Sequence, residues 1–306
     1  MSKLHWLALR SVSGIGAVTA NDLIQRFGDI EAVFDASDRE LLATPRITTE
    51  VIASLRNIVW DSLEAEMFSL SEEGIDILTW DDEDYPQNLR QSRDGPPLLF
   101  TRGSLLPEDE RAVAIVGTRQ PTPRSIERTE WLATELAARG LVVVSGLAAG
   151  IDTRAHRGAL QARVGRTLAV LGSGLRVIHP RENVPLAEEI AQRGALLSES
   201  LPNSPPRGPQ LMARDRIISG LSLAVIVMEA GEKSGSVDTA LKAHRQGRKV
   251  FAVPGSSGTD SLIAQGARPL VMENIDLDAL SRQVVDVCHS ERSEESRAET
   301  KQLALW

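Results

Sequence analysis

The sequence predicts an α/β protein: a doubly wound, mostly parallel sheet preceded by a small helical domain. Three observations support this prediction. From residue 112 onward, short apolar strands alternate with amphipathic helices. These strands are apolar along their whole length, as expected when helices cover both faces of a parallel sheet. Before residue 72, apolar residues instead recur with helical spacing.

Residues 1–72 form the first predicted unit, a helical domain. Its opening fits a helix-hairpin-helix, or SAM-like, pattern in which Gly14 and Gly16 allow a tight turn before a helix that ends near Gly28. Backbone amides in such a turn can approach a phosphate. An equally open interpretation is a compact turn that only packs on the next domain.

Residues 73–108 follow as a connecting extension. Residues 75–78 resemble a short strand, but Pro86, Pro96 and Pro97 indicate an irregular path. We therefore expect an irregular connector.

The predicted Rossmann-like core spans residues 109–285 and contains six strands. In such sheets the ligand crevice lies at the carboxyl ends of the strands. After it, residues 286–306 are polar without an apolar face, which predicts a disordered tail. The candidate strands are 112–117, 141–145, 167–172, 195–198, 223–228 and 249–253, and helices are expected to begin near Pro123, Gly150, Val184, Gln210 and Gly235.

Composition excludes several classes of protein. No apolar run approaches the roughly 20 residues that a bilayer requires, so we expect a soluble, cytoplasmic protein. Cys288 is the only cysteine, and the five histidines show no metal-ligand spacing, so neither a disulfide framework nor a metal site is expected. The net charge of -8 argues against nucleic-acid binding by the whole surface. Residues 207–249, however, hold eight basic and four acidic side chains, which allows a local basic patch.

Loops at the predicted carboxyl ends of the strands indicate a phosphate-binding rim. Glycines there leave backbone amides open to an anion, and the helices that follow add a favourable dipole. A glycine that only permits a sharp bend is the alternative at each position. The candidates in the first three loops are Gly117, Thr118, Arg119, Ser145, Gly146, Gly172 and Gly174.

Two later segments add candidate cations. Arg214 and Arg216 lie two residues apart before an apolar helical stretch, and paired guanidinium groups suit phosphate oxygens. A solvated helix start would explain the same pair. In the next segment Lys233 precedes a small-residue run that leads into a helix, namely Ser234, Gly235 and Ser236.

The loops do not match the common cofactor or catalytic motifs. The third glycine of a dinucleotide fingerprint is replaced by Val177, and no complete phosphate-loop motif of nucleotide hydrolases occurs, so no cofactor is expected. Asp152 and His156 share a helical face, but such a pair more often braces a loop than transfers protons. Ser145 lacks a nucleophile elbow, so no catalytic residue is expected.

At these motifs the chain resembles the DprA/Smf family of DNA-processing proteins, over about residues 84–270 and more loosely before them. Seven motifs in the same order carry the resemblance. They are Asp-Tyr-Pro-Gln-Asn-Leu at 84–89 with Pro-Pro at 96–97, Val-Gly-Thr-Arg at 116–119, Ser-Gly-Leu-Ala-Ala-Gly-Ile-Asp at 145–152 with His156, Gly-Ser-Gly-Leu at 172–175 with His-Pro at 179–180, Arg-Asp-Arg-Ile-Ile-Ser-Gly-Leu-Ser at 214–222, Lys-Ser-Gly-Ser at 233–236 and Val-Phe-Ala-Val-Pro-Gly at 250–255.

The resemblance implies a non-catalytic protein of natural transformation that binds and protects single-stranded DNA, dimerises and loads the RecA recombinase. It assigns DNA contacts to Arg119, Arg214 and Arg216, with Lys233 in the loop before Ser-Gly-Ser. It also implies a homodimer surface that a monomer would leave partly exposed, formed by Leu262, Ile263 and Leu270.

Two substitutions depart from the family pattern. Asp215 stands in the middle of the family's Arg-Asn-Arg run, and Asp260 replaces a later asparagine. Each places an acid near a predicted phosphate site and lowers affinity if the side chain faces the strand. The polar tail stands where many members have a winged-helix domain, so duplex contacts of that domain are not expected.

Two alternatives remain open at this point. One is a phosphoribohydrolase-like enzyme acting on nucleoside monophosphates, although Thr239 occupies its acid position and Asp238 lies one residue early. The other is a nucleotide-sensing module that binds a small phosphate ligand. Ligand size, mononucleotide against oligonucleotide, would separate both from the family reading.

Overall fold

The computed structural model describes residues 3–92 and 94–286. The predicted polar tail therefore lies, apart from Asp286, outside the described residues. The helices are α1 Lys3–Ser11, α2 Ala17–Phe27, α3 Ile30–Asp35, α4 Asp38–Leu42, α5 Thr49–Arg56, α6 Trp60–Glu72, α7 Gln87–Arg90, α8 Pro123–Ala138, α9 Ile151–Gln161, α10 Val184–Arg193, α11 Gly208–Leu221, α12 Gly235–Arg245, α13 Ser257–Ala264 and α14 Leu277–Val285. The strands are β1 Ile75–Thr79, β2 Leu98–Gly103, β3 Ala112–Val116, β4 Val142–Ser145, β5 Thr167–Val170, β6 Ala195–Ser198, β7 Ala224–Val227, β8 Lys249–Ala252 and β9 Arg268–Pro269.

The nine strands form one sheet in the order β1-β2-β6-β5-β4-β3-β7-β8-β9. In this order, each of the seven strands from β6 across to β9 runs parallel to its neighbours within that set. The predicted doubly wound α/β fold is therefore confirmed. After β3, the chain adds β4, β5 and β6 in turn on one side of β3, and then β7 pairs with the other side of β3. Such a reversal opens a crevice at the carboxyl ends of the adjacent strands.

Helices cover both faces of this sheet because its strands are apolar on both sides. In β3, Val113 and Ile115 pack with the cluster that includes α8 and α9, whereas Ala114 and Val116 pack with the cluster that includes α11 and α12. Successive side chains of a strand point to opposite faces, so five buried apolar residues in a row require two covered faces.

The predicted connector contributes more to the sheet than its prolines indicated. β1 and β2 form an antiparallel edge, with Phe100 of β2 paired to Ser198 of β6. The strand-like stretch at 75–78 is β1, and Pro86, Pro96 and Pro97 fall between the two strands rather than within them.

The N-terminal helical region is present as predicted, with α1 and α2 separated by a turn in which Gly14 has a φ of 92°. Its apolar side packs against β1, β2 and α10. Ion pairs also join this region to the loop after β5, since Arg176 of that loop contacts Glu66 at 2.8 Å and Glu73 at 2.7 Å. Within residues 3–92 and 94–286, no helix combines the length and apolar character needed to cross a membrane.

Candidate nucleic-acid interface

A cavity of about 330 Å³ lies at the switch point of the sheet, beyond the carboxyl ends of β3, β4 and β7. This is where the topology predicts a ligand. Its wall combines glycines, hydroxyls, apolar side chains and both signs of charge. The lining residues are Val116, Gly117, Thr118, Arg119, Ala148, Asp152, Leu211, Met212, Arg214, Asp215, Ile218, Ser234, Gly235, Ser236 and Thr239.

Two cations at the mouth of this cavity are free to meet a ligand. Arg119 lines the cavity in the loop after β3, and Lys233 immediately precedes the lining residue Ser234. Both side chains are exposed, and within the part of the chain that the structure describes neither has an ion-pair partner. An exposed, unpaired cation can contact a phosphate without first breaking an internal contact.

The N-terminus of α12 opens toward the same cavity. Ser234 caps it with extended backbone, and the hydroxyls of Ser234 and Ser236 lie 2.8 Å apart. A β-carbon built on Gly235 would have no atom closer than 3.7 Å, so this position is open. The positive end of the helix dipole therefore adds to the two cations at the mouth.

The glycines of the first three loops lie in closely packed surroundings. A β-carbon on Gly172 would lie 2.8 Å from Leu211 Cα, and one on Gly174 would lie 2.1 Å from Pro202 O. The Gly174 amide donates to Ser204 O at 2.9 Å. The prediction of an open amide is therefore wrong at Gly174.

Close packing also marks the loop after β3, and in the loop after β4 the glycine amide has an internal acceptor. A β-carbon on Gly117 would lie 2.6 Å from Ile151 Cγ1, and the Thr118 amide donates to Glu229 O at 2.7 Å. The Gly146 amide donates to Asp152 Oδ2 at 3.1 Å. Ser145 is fully buried and its hydroxyl donates to a carbonyl of β3, so it is not available to a ligand.

Arg214 lies inside the protein rather than at the mouth. Its Nη1 donates to Val170 O at 2.6 Å, and its Nε lies 3.2 Å from Asp215 Oδ1. The guanidinium passes beside Gly146, where a β-carbon would lie only 1.7 Å from Nη1. Arg214 lines the cavity, but its contacts hold the wall together.

Arg216 points away from that wall. Its guanidinium makes two hydrogen bonds to the Glu199 carboxylate, at 2.8 and 2.6 Å. Glu199 O in turn accepts from Arg10 of α1 at 2.9 Å. The prediction that Arg214 and Arg216 form a paired phosphate clamp is therefore wrong, because they engage separate internal acceptors.

Two carboxylates lie in the wall of the cavity, and only one of them, Asp215, was expected near a phosphate site. Asp152 and Asp215 are buried lining residues. Burial raises the pKa of both, that of Asp215 to about 6, although the neighbouring Arg214 lowers both. Asp215 thus lies in the wall of the cavity, next to Arg214.

Asp152 and His156 each make contacts that brace the fold, and this bracing role is the alternative to acid/base chemistry given above. Asp152 accepts from the Gly146 amide, whereas His156 is fully buried with its Nδ1 2.7 Å from Thr167 Oγ1. Burial, with help from Arg214, lowers the pKa of His156 to about 3. His156 is thus a neutral core residue outside the cavity wall.

The predicted dimer residues are not equally exposed. Leu262 and Leu270 are 4% and 6% exposed in the single chain, and Ile263 is partly buried. The expectation that all three would be partly exposed was wrong for the two leucines, which pack in the cores on either face of the sheet.

Comparison with known proteins gives a consistent family assignment. The family model described as DNA recombination-mediator protein A matches residues 76–280. DNA processing protein DprA from Bacillus subtilis is 40% identical over 228 residues, covering 71% of this chain and 76% of that protein. Protein Smf from Escherichia coli is 36% identical over 269 residues, covering 86% of this chain and 71% of that protein.

Two solved structures share the fold. DNA processing protein A from Streptococcus pneumoniae matches with a TM-score of 0.76 and 31% identity, covering 88% of this chain and 95% of that one. DNA processing protein A from Helicobacter pylori, whose structure concerns its single-stranded DNA binding mode, matches with a TM-score of 0.60 and 32% identity. That match covers 69% of this chain and 96% of that one.

Proposed function

The chain belongs to the DNA recombination-mediator protein A family, and from this premise we propose that it binds single-stranded DNA along the mouth of the cavity. The Helicobacter pylori relative, described by its single-stranded DNA binding mode, supports the choice of ligand. The proposal places the sugar-phosphate backbone across the carboxyl edge of the sheet.

This proposal is carried by two exposed cations, Arg119 and Lys233, which have no ion-pair partner among the described residues and lie beside the open N-terminus of α12. Phosphate contacts by Lys and Arg release counterions, so affinity falls as salt rises, with a slope of about 0.7 per contact on single strands. Arg214 contributes through the shape of the wall, since its Nη1 already donates to Val170 O, whereas Arg216 is held by Glu199 outside the wall.

Binding without cleavage is the second part of the proposal. At the position where a phosphoribohydrolase-like site needs an acid, the Thr239 hydroxyl donates to Gly235 O at 3.0 Å. The neighbouring Asp238 pairs with Lys242 at 2.6 Å. Neither supplies a base facing the cavity, so these contacts support a binding protein over the hydrolase.

We further propose that the bound strand passes to the RecA recombinase and that two copies of the chain pair. The family description as a recombination mediator supports the first proposal. Partly buried Ile263 and Val271, which is 52% exposed, offer apolar surface for the second. Light scattering would test pairing, and RecA filament formation on DNA covered by a single-strand-binding protein would test transfer.

Fluorescence anisotropy of a labelled oligothymidylate, titrated with wild-type protein and single variants, tests DNA binding. We expect Arg119→Ala and Lys233→Ala each to weaken binding. Arg163→Ala is the matched control, because exposed Arg163 precedes β5 at the opposite edge of the sheet. Equal affinities for wild type and both site variants would refute the proposed interface.

A further inference from the structure

We propose that Glu199 is a positioning residue for the DNA interface, although its side chain lies outside the cavity wall. Glu199 ties α11 to the N-terminal helical region, and α11 in turn fixes the start of α12, which Lys233 immediately precedes. The inference rests on the proposed single-stranded DNA binding. It adds a contact through which the N-terminal region affects the affinity for DNA.

The carboxylate of Glu199 holds α11 by two hydrogen bonds. Its oxygens accept from Arg216 Nη1 at 2.8 Å and from Arg216 Nη2 at 2.6 Å, and the two side chains are only 17% and 14% exposed. A two-pronged contact between a guanidinium and a carboxylate fixes direction as well as distance. Glu199 therefore fixes the orientation of Arg216 and of the helical turn that carries it.

The backbone of the same residue is held from the N-terminal side. Arg10, in the last turn of α1, donates from Nε to Glu199 O at 2.9 Å. Arg10 and Glu199 also line one small pocket, together with residues of α2 and with Pro96 and Pro97 before β2. The N-terminal helices, the antiparallel edge of the sheet and α11 thus meet at Glu199.

The first turns of α11 have few contacts that hold them in place. All residues from 208 to 213 are at least partly exposed. The N-cap residue, Arg207, makes no side-chain capping hydrogen bond, although such a bond commonly stabilises a helix start. The start of α11 therefore depends on contacts made farther along the helix, by Arg214 with Val170 O and by Arg216 with Glu199.

The position of α12 follows that of α11 because the two helices pack side by side and share hydrogen bonds. Lys242 Nζ donates to Met212 O, and Gln246 Nε2 donates to Arg216 O at 3.0 Å. Lys233 lies at the opposite end of α12, which has 11 residues and is about 16 Å long. A tilt of about 5° would move that end by about 1 Å, enough to lengthen a phosphate hydrogen bond beyond about 3.2 Å.

Two substitutions break the contact from either side without changing any charge. Arg216→Lys loses the second hydrogen bond, and Glu199→Asp draws the carboxylate back by one methylene. We expect each to weaken binding of labelled oligothymidylate by about tenfold, the usual size of one charge-assisted hydrogen bond. Each should also lower the slope of log affinity against log salt by about 0.7, as the loss of one phosphate contact does.

Arg166→Lys is the matched control in the same anisotropy titrations. Arg166 makes a similar pair of hydrogen bonds to Asp109, both at 2.9 Å, and these side chains are 16% and 8% exposed. Arg166 precedes β5, at the edge of the sheet opposite the cavity. Arg166→Lys should therefore keep both the affinity and the salt slope of wild type.

A double-variant cycle separates positioning from a general loss of structure. If Glu199 acts by placing Lys233, adding Glu199→Asp to Lys233→Ala should weaken binding no further. Adding Glu199→Asp to Arg119→Ala should instead weaken binding by the full factor of about ten. Thermal melting followed by circular dichroism checks that each variant is folded at the assay temperature. Partial unfolding would add equally to both site variants.

The outcomes separate this inference from the proposed function. If Glu199→Asp binds like wild type while Lys233→Ala binds weakly, the positioning role is refuted and the proposed DNA binding stands. Weakening by Arg216→Lys alone would assign Arg216 a direct contact with DNA and likewise refute the role of Glu199. Equal effects of Glu199→Asp in both double variants would refute it as well. If wild type does not bind the strand, the proposed DNA binding fails and the inference fails with it.

Discussion

Replacing the Asp215 carboxyl by an amide should stabilise the protein, and by an amount that depends on pH. Burial raises the pKa of this carboxyl from 3.8 to about 6 despite the nearby Arg214. A shift of roughly two pKa units corresponds to about 3 kcal/mol of folding free energy, at about 1.4 kcal/mol per unit.

The direction follows from proton binding. Between about pH 4 and 6 the folded protein keeps this proton while the unfolded chain loses it, so raising the pH favours the unfolded chain. Above the folded-state pKa the full cost of the buried charge is present. Asparagine resembles the protonated acid in size and charge and avoids that cost. Asp215→Asn should therefore match wild type near pH 4 and exceed its unfolding free energy by up to about 3 kcal/mol near pH 7.

Denaturant unfolding followed by circular dichroism across this pH range measures the difference. Glu232→Gln is the control, because replacing an exposed carboxylate should change the unfolding free energy by under about 0.5 kcal/mol at every pH. A difference between Asp215→Asn and wild type that stays constant with pH, or wild type being the more stable near pH 7, would show that Asp215 is not a strained buried acid.

Three further predictions concern the interface and its support. The Arg119→Ala, Lys233→Ala double variant should lower the slope of log affinity against log salt by about 1.4 in a titration at several salt concentrations, and an unchanged slope would contradict phosphate contacts there. Gly174→Ala should lower the unfolding free energy by about 3 kcal/mol because its β-carbon would meet backbone at 2.1 Å. Its control in denaturant unfolding, Gly231→Ala, meets nothing within 4 Å and should be near neutral, and equal effects would contradict the packing role. Tyr85→Phe removes a buried 2.6 Å hydrogen bond to a carbonyl and should cost about 1 to 2 kcal/mol, whereas no change in melting temperature would mean that the carbonyl finds another donor.

Sequence patterns predicted the parallel core well because its strands are short, continuous and apolar. Each of the six candidate strands is present within two residues of its expected ends. The antiparallel edge was missed since the pairing of β2 with β6 joins segments far apart in the chain and leaves no local periodic signal. Proline-rich composition between β1 and β2 then favoured a connector.

The candidate site shows a different limit. Sequence identified the loops that surround the cavity, but it could not separate an arginine at the mouth from one inside the wall. Arg119 is exposed, whereas Arg214 is buried with an internal acceptor, and the two look alike as sequence. The same holds for glycines, where close packing and phosphate approach both favour the residue without a β-carbon. Apolar wall residues such as Met212 gave no signal, since helical spacing explains them equally well.

Competition at the cavity mouth tests single-strand binding most directly. Labelled oligothymidylate is bound to wild-type protein at low and moderate salt, then challenged with unlabelled single strand, duplex DNA and AMP. We expect tight binding that weakens with salt and is reversed by single strand but by neither duplex nor AMP. Displacement of the labelled strand by AMP, under conditions in which duplex DNA has no effect, would contradict the proposal and assign the cavity to a mononucleotide.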